Sequence, residues 1–509
     1  MGKEYFIGLD VGTSGAKALV FCHKGEKMGE FYQSYSLKTP YPGWVEQDVE
    51  EIWEAVLSLL RSCGSLLQSD DIAFLSLSTQ GGTVVLLDEQ GSPLRPAITW
   101  MDSRAKDEGL RLLRDLGRDF IYHTTGYGVV GSLPLSQLCW LKNHEPETLY
   151  RAYRISPIDS FITLRLTGEW YTDLSSAGIT MLYDISERSW SEALLRYLGI
   201  CEEQLPRLRE SGSLVGEVLP EIRRAVNLPI TYVVTGGHDQ FCASLAVGAT
   251  TREIAHLSGG TAWAMVLPQE QIWWDPQGNI AVESHVVPKK YGLLLSIPCG
   301  GASLEWFRTR VSSLGGEEEP YTYIDQQVAM VPPGSEGVFF LPYFIPIVLG
   351  TPGGNKGGVF VGLGLHHNRY HLYRSIMEGL CFEILRQVEY LQRQGKAVTL
   401  VRLSGGVAKS QVWTKITAQV FSTLDIRLER VKIADASAVG AAELAYLCWL
   451  GGGKIASAFE ENLFPLVKEE VSVDASKCKE YLQWYEKWCE VASGVGERGI
   501  VNGLATGGR

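Results

Sequence analysis

Two aspartates stand where an apolar run gives way to glycines, a place from which a carboxylate can serve a phosphate or a hydroxyl. The first is Asp10, in IGLDVGTSGAK at residues 7–17. The turn behind it, Gly12-Thr13-Ser14-Gly15, offers backbone N–H groups and two hydroxyls to an anion. Asp10 could hold a Mg2+ ion through water beside a polyphosphate, or serve as a turn-capping residue. The second is Asp239, in TGGHDQ after the run ITYVV. A carboxylate there is placed to take a proton from a substrate hydroxyl, with helix capping as the alternative. Its neighbours His238 and Gln240 are polar, which suits a sugar-lined cleft.

Three more glycine turns follow apolar runs: Gly259-Gly260-Thr261, Gly300-Gly301-Ala302-Ser303 and Gly405-Gly406. One such turn is what any strand exit needs for steric reasons. Four in one chain exceed that need and point to phosphate. No Walker A pattern occurs and no G-x-G-x-x-G follows the first strand, so P-loop and dinucleotide-binding logic do not apply.

The elements that must position these groups read as α/β. YFIGLDV and AKALVFC flank the first turn as a hairpin, and VEEIWEAVLSLLRSCG has apolar residues at helical spacing before Gly64. IAFLSLST and TVVLLDEQGSPL read as strands, the second leading into a turn. The pattern strand, glycine turn, strand returns at IAHLSGGTAWAMVL, so a duplicated phosphate-binding fold is expected, with its boundary near AVGATTR at 246–252. The expected domains are 1–248, 249–450 and a tail, 451–509, holding an amphipathic helix, CKEYLQWYEKWCEVA, and a frayed end, GVGERGIVNGLATGGR.

Composition sets bounds on this reading. The chain has 509 residues, 45% hydrophobic and 20% charged, enough for two to four domains with large cores. A net charge of −12 argues against bulk affinity for nucleic acid or anionic membrane. The ten cysteines show no Cys-x-x-Cys pair and no zinc spacing. With no membrane-spanning run and no signal-peptide pattern, a cytoplasmic protein is expected.

Taken in order, these segments resemble the FGGY family of carbohydrate kinases, within the fold superfamily of hexokinase, actin and the heat-shock ATPases. The likeness runs over roughly residues 4–450. IGLDVGTSGAK resembles the family's N-terminal phosphate loop; GWVEQD (43–48) and LRPAITWMDSRA (94–105) resemble its sugar-side segments. RLTGEWYTDLSSAGITMLYD resembles its middle segment, and GGHDQ the loop with the catalytic aspartate. GVFVGLGLHHNRYHLYRSIMEG (358–379) fits its C-terminal signature, and LSGGVAKSQVWTKITAQVF with ADASAVGAAELA its adenosine-side loop and following helix.

The resemblance implies two ribonuclease-H-like domains around a cleft, ATP mainly on the C-terminal half and sugar mainly on the N-terminal half. It makes Asp239 the general base toward the γ-phosphate of Mg-ATP and gives Asp10 to the Mg2+. Gly12, Thr13, Ser14 and Lys17 would lie near the phosphates, with Gly260 and Thr261 on the other side. Gly301, Glu305, Gly405, Gly406 and Ser410 would lie along the nucleotide. The acceptor contacts expected are Gln80, Gly81, Gly82, Trp100, Asp102, His238 and Gln240. Dimers are common in the family, so a homodimer is expected by analogy alone.

Departures from the family pattern bear on substrate. Xylulokinases typically carry Gln-Met-His-Gly after the LSLS strand and glycerol kinases Gln-Arg-Glu-Thr; this chain has Gln80-Gly81-Gly82-Thr83. The missing side chains leave either a larger pocket or one filled from elsewhere, by groups such as His238 or Trp100. The usual GERTP becomes LGTP at 349–352, losing a charged pair. Trp44 and Trp100 could stack on a sugar or belong to the core. Asp102 and Arg104 could hold hydroxyls or pair with each other. The run of segments favours a ketose kinase of xylulokinase type. A glycerol, polyol or autoinducer-2 kinase is the alternative, and a non-catalytic actin-like ATP sensor the reading from another class.

Overall fold

The computed structural model describes residues 3–313, 319–344, 357–433, 435–451, 464 and 466–497. The LGTP segment and the end of the tail, 498–509, lie outside the described residues. Contact density divides the chain into two units.

The first unit takes the chain up to Thr250, then Gln269–Leu293, then the described residues from Asp435 to 451 with Phe464. Its sheet has six strands: β1 (Glu4–Val11), β2 (Gly15–Cys22), β3 (Lys27–Ser34), β4 (Ile72–Thr79), β5 (Leu214–Glu217) and β6 (Ile230–His238), in the order β5-β6-β4-β1-β2-β3. β1, β4 and β6 are mutually parallel, and their apolar runs are buried, as strands covered on both faces must be. Their registers end together: Asp10 lies beside Ser78, and His238 beside Thr79. Asp10, the Gln80 loop and Asp239 therefore leave the same edge of one sheet, where ligands of such sheets gather.

Two helices pack on this sheet. α1 (Val49–Gly64) starts at Asp48, whose carboxylate accepts the Glu50 N–H at 3.1 Å, and buries Ile52, Trp53, Val56, Leu59 and Leu60 at helical spacing. α2 (Asp239–Ala246) begins directly at the end of β6, so Asp239 sits in the first turn of a helix.

The second unit takes 251–268, the described residues of 294–433, and 466–497. Its larger sheet contains β7 (Ile254–Gly259), β8 (Trp263–Gln269), β9 (Tyr291–Ile297, from Leu294 on), β10 (Leu400–Gly405), β11 (Arg427–Lys432) and β12 (Val467–Glu470), running β9-β8-β7-β10-β11-β12. β7 and β8 form a second antiparallel hairpin, and β7 runs parallel to β10 with Gly259 beside Gly405. The long α3 (Arg369–Arg393) is capped by Asn368, which accepts the Tyr370 N–H at 2.9 Å; α4 (Gln411–Phe421) is capped by Ser410.

α5 (Ala436–Trp449) returns to the first unit and lies flush on β1. A Cβ on Gly8 would fall 1.8 Å from the Ala438 carbonyl, so the strand and the helix meet main chain to main chain. The run ASAVGAA supplies the small residues that this approach requires. α6 (Ala475–Glu497) ends the described chain in the second unit, where the Trp488 indole donates to the Phe340 carbonyl at 2.9 Å. Among the described residues no helix is long and apolar enough to cross a membrane.

Candidate active site

In the first unit the hairpin turn is fixed from several sides. Gly12 N–H donates to the Gly15 carbonyl at 3.1 Å, and the Tyr35 hydroxyl donates to the Gly12 carbonyl. The Gln47 amide donates to Thr13 O at 2.6 Å, and the Trp100 indole N–H to Thr13 Oγ1 at 3.0 Å. Trp100 is thus tied to the Gly12–Gly15 turn. Lys17 pairs with Asp435 at 3.2 Å and lies 3.9 Å from Glu30.

Asp10 accepts the Ser78 hydroxyl at 2.7 Å. Burial pushes its carboxyl well up, and the charges of Asp435 and Asp239 push it further, against Ser78 and Lys17. Three carboxylates crowd one neighbourhood with Lys17 as a counter-charge. That surplus of oxygen ligands and negative charge fits a hard divalent cation at Asp10. Asp435 was not among the residues singled out in the sequence. Its signal was the N-cap position ahead of ASAVGAA: it accepts the Ala438 N–H at 3.1 Å.

Asp239 keeps 26% of its side chain exposed, so its carboxylate is within reach of an acceptor hydroxyl. Burial raises its pKa, while the His238 charge and hydrogen bonds from Gln240 hold it down. The Ser437 hydroxyl donates to its carbonyl at 3.2 Å, pinning α2 to α5. His238 is only 4% exposed. Its Nε2 lies 3.2 Å from Asp239 Oδ1 and its Nδ1 3.4 Å from Glu283 Oε2. Burial alone would lower its pKa, but Glu283, then Asp239 and Asp173, raise it to about 9, which favours the imidazolium at neutral pH.

The glycine loop is filled rather than open. A Cβ on Gly81 would meet Ile179 Cδ1 at 2.5 Å and His238 Nε2 at 2.8 Å. Gly82 has φ +71°, and a Cβ there would meet Leu133 Cδ2 at 2.7 Å and Trp100 Cβ at 3.0 Å. Of the two alternatives for this loop, the structure takes the second: groups from elsewhere occupy the space. Gln80 donates to Gln47 Oε1 at 2.7 Å. Its own Oε1, and that of Gln240, are buried and accept no hydrogen bond among the described residues. Buried orphan acceptors of this kind suit the hydroxyl donors of a polyol.

Asp102 and Arg104 pair with each other. The guanidinium forks onto Asp102 at 2.9 and 2.7 Å, reaches Glu46 at 2.8 Å and stacks on Trp44 at 3.7 Å. Asp102, 1% exposed, also accepts Val45 N–H at 2.6 Å. Its acceptors are thus spent on the protein's own donors.

The second unit brings its glycine turns together by backbone. Gly301 N–H donates to Gly260 O at 2.9 Å and Ala302 N–H to Thr261 O at 3.0 Å. A Cβ on Gly301 would lie 2.5 Å from Gly260 O. Gly405, at φ +85°, would place one 2.9 Å from Gly259 O, and Gly406 one 3.4 Å away. The result is a side-chain-free surface of the kind that lets phosphates approach main chain. Glu305 is forked by Arg308 at 2.8 and 3.0 Å, which holds its carboxyl below the usual range. Ser410 accepts the Trp413 N–H at 3.0 Å as the cap of α4. Glu336, His366 and His367 form a separate exposed group of metal-ligand types in this unit. There His367 already has one nitrogen on Gly364 N–H and the other facing the Glu336 carbonyl.

Comparison with known proteins follows the same division. The N-terminal domain of the FGGY family of carbohydrate kinases matches residues 5–246, and the C-terminal domain of that family matches 259–449. A xylulose kinase of Bacillus subtilis is 30% identical over 446 residues, covering 87% of this chain and 88% of that protein. A gluconokinase of the same organism is 27% identical over 428 residues, covering 82% and 83%. The crystal structure of a ligand-bound xylulose kinase from Lactobacillus acidophilus superposes with a TM-score of 0.89 at 23% identity, covering 98% of this chain and all of that one, a likeness of fold.

Proposed function

We propose, for a chain that belongs to the FGGY family of carbohydrate kinases and is a carbohydrate kinase of its two-domain α/β fold, that the acceptor is a ketose of the D-xylulose type and the donor is Mg-ATP. In this reading Asp239 is the base. Its partly exposed carboxylate takes the proton of the acceptor hydroxyl as that oxygen attacks the γ-phosphate. The orphaned amide oxygens of Gln80 and Gln240 accept from other hydroxyls and hold the sugar in place. Within the second unit, Gly260, Thr261, Gly301, Gly405 and Gly406 offer main-chain and hydroxyl donors of the kind that a nucleotide's phosphates take; within the first, Thr13 and Ser14 offer hydroxyls beside Asp10. Asp10 holds the Mg2+, which when bound neutralises charge on the transferring phosphoryl group.

The observation that carries the reading is the partly exposed Asp239 on the same sheet edge as two buried, unpartnered amide oxygens. It calls for a substrate rich in hydroxyls next to a base. The test is ADP release with D-xylulose, other pentuloses and hexuloses, D-gluconate, glycerol and the buffer alone. Turnover highest with D-xylulose supports the reading. Highest turnover with gluconate or glycerol overturns the ketose assignment and keeps the kinase. Product-free ADP release with every acceptor overturns the assignment of phosphoryl transfer to this site.

A further inference from the structure

Behind the base lies a buried chain of groups that neither the sequence pattern nor the proposed reaction uses. Glu283, on the strand Ala281–Ser284, is fully buried. Its Oε1 accepts the hydroxyl of Tyr127, itself 6% exposed, and its Oε2 faces His238 Nδ1 at 3.4 Å. The other nitrogen of His238 faces Asp239 at 3.2 Å. The order is Tyr127, Glu283, His238, Asp239, drawn from the loop after the helix Arg118–Thr125, the strand Ala281–Ser284 and the junction of β6 with α2. The tyrosine fixes the carboxylate but leaves its charge uncompensated, and a buried carboxylate needs a cation. His238 is the cation that it meets. Both imidazole nitrogens are thereby aimed at carboxylates.

We propose that Glu283, anchored by Tyr127, is a positioning residue for the base: it holds the His238 imidazolium against Asp239 Oδ1, so that Asp239 meets the acceptor hydroxyl ionised and with one fixed orientation. The inference rests on Asp239 being the base. Physical need supplies the reason. Burial favours the protonated carboxyl, which cannot accept a proton, and an adjacent cation reverses that preference. The charged groups around His238 are Asp239 in its own turn, Glu283 on the strand Ala281–Ser284 and Asp173 at the cap of the helix Leu174–Gly178. The Ser175 hydroxyl accepts His238 N–H at 2.9 Å and donates to Asp173 at 2.6 Å, so the backbone of the histidine is fixed as well. The missing side chain at Gly81 is what leaves room for the ring: a Cβ there would stand 2.8 Å from Nε2.

The test uses the full chain labelled with 15N-histidine, with Glu283→Gln, Tyr127→Phe and Asp239→Asn. Wild-type His238 should give the nitrogen shifts of an imidazolium at about pH 7.5, and Glu283→Gln those of a neutral ring. The acid limb of kcat/KM should move up by about one pH unit in Glu283→Gln, a roughly tenfold loss on the acid side, and recover toward the wild-type plateau at higher pH. Tyr127→Phe should move it the same way by less, which keeps the test open if Glu283→Gln does not fold. KM for Mg-ATP should hold in both. A neutral wild-type ring, or a loss equal at every pH, overturns the inference. Activity retained in Asp239→Asn overturns the base itself. An inactive Asp239→Asn beside an unshifted Glu283→Gln overturns only the role of Glu283.

Discussion

In the first unit Asp10, Asp239, Asp435, His238 and Glu283 gather charge at the end of one sheet, whereas in the second Gly260, Gly301 and Gly405 gather main chain. Both units start from the same device, an antiparallel hairpin closed by a glycine turn and flanked by a parallel strand. Under the proposed function, the difference means that one scaffold serves two tasks. Moving a proton needs groups whose charge is set by neighbours; receiving phosphates needs donors that no side chain obstructs. Substitutions in the two units should therefore fail in different ways.

The largest effect should come from Asp239→Asn. Removing a general base costs about 10²–10⁴ in kcat. KM for ATP should stay near wild type, because the glycine turns of the second unit are untouched. A large rise in that KM would break the division of labour. Next comes Asp102→Asn, in the same unit but away from the base. It strips the fork from Arg104, whose side chain is 1% exposed, and leaves a guanidinium with Glu46 alone. Breaking a buried pair of this kind should cost about 3 kcal/mol in a urea titration, with kcat near wild type in the folded fraction. A selective rise in sugar KM instead would return Asp102 to the acceptor site.

Much of this architecture was legible along the chain. The hairpins, α1 and the glycine turns are local facts, written in alternation, helical spacing and turn residues, and they appear where the sequence places them. The order of motifs was enough to identify the family. What stayed hidden is tertiary. Tyr127 meets Glu283 across 156 residues of sequence and Glu283 meets His238 across 45, and no period records those meetings. Asp435 was hidden for a related reason: ADASAVGAAELA reads as following the Gly405 turn, but its helix packs on β1, and only the run of small residues hints at so close an approach. The Gly81-Gly82 pair was legible as a departure but not in its consequence, because Ile179, His238, Leu133 and Trp100 fill the space from distant positions.

A smaller effect is expected from Gly405→Ala in the second unit. At φ +85° an L side chain costs about 1–2 kcal/mol, and its Cβ would press on Gly259 O at 2.9 Å. The turn should shift, raising KM for ATP severalfold while the pH profile of kcat/KM keeps its shape. A changed profile would mean that the backbone turns also govern the base, and the contrast between the units would fail.

The finest comparison sets one buried histidine against another. His238 in the first unit has a folded pKa of about 9, above the ordinary 6.5, because Glu283 and Asp239 outweigh burial. It binds its proton more tightly folded than unfolded, so its stabilisation is complete below about pH 6.5 and is lost as pH rises through about 9. His256 in the second unit, with Nε2 2.8 Å from Ser404 Oγ, is pushed down to about 3 by burial alone. It must stay neutral to remain folded, so its contribution is present above about pH 6.5 and is lost as pH falls toward 3. His285, in the first unit, is held at about 3 by burial and then by the Lys290 charge, and adds to the acid arm. Urea midpoints across pH should therefore fall on both sides. Glu283→Gln should flatten the alkaline fall and leave the acid one, while His256→Gln should ease the acid fall and leave the alkaline one. If Glu283→Gln alters neither arm, His238 is not held as a cation, and the charge that distinguishes the first unit from the second is not set where its geometry puts it.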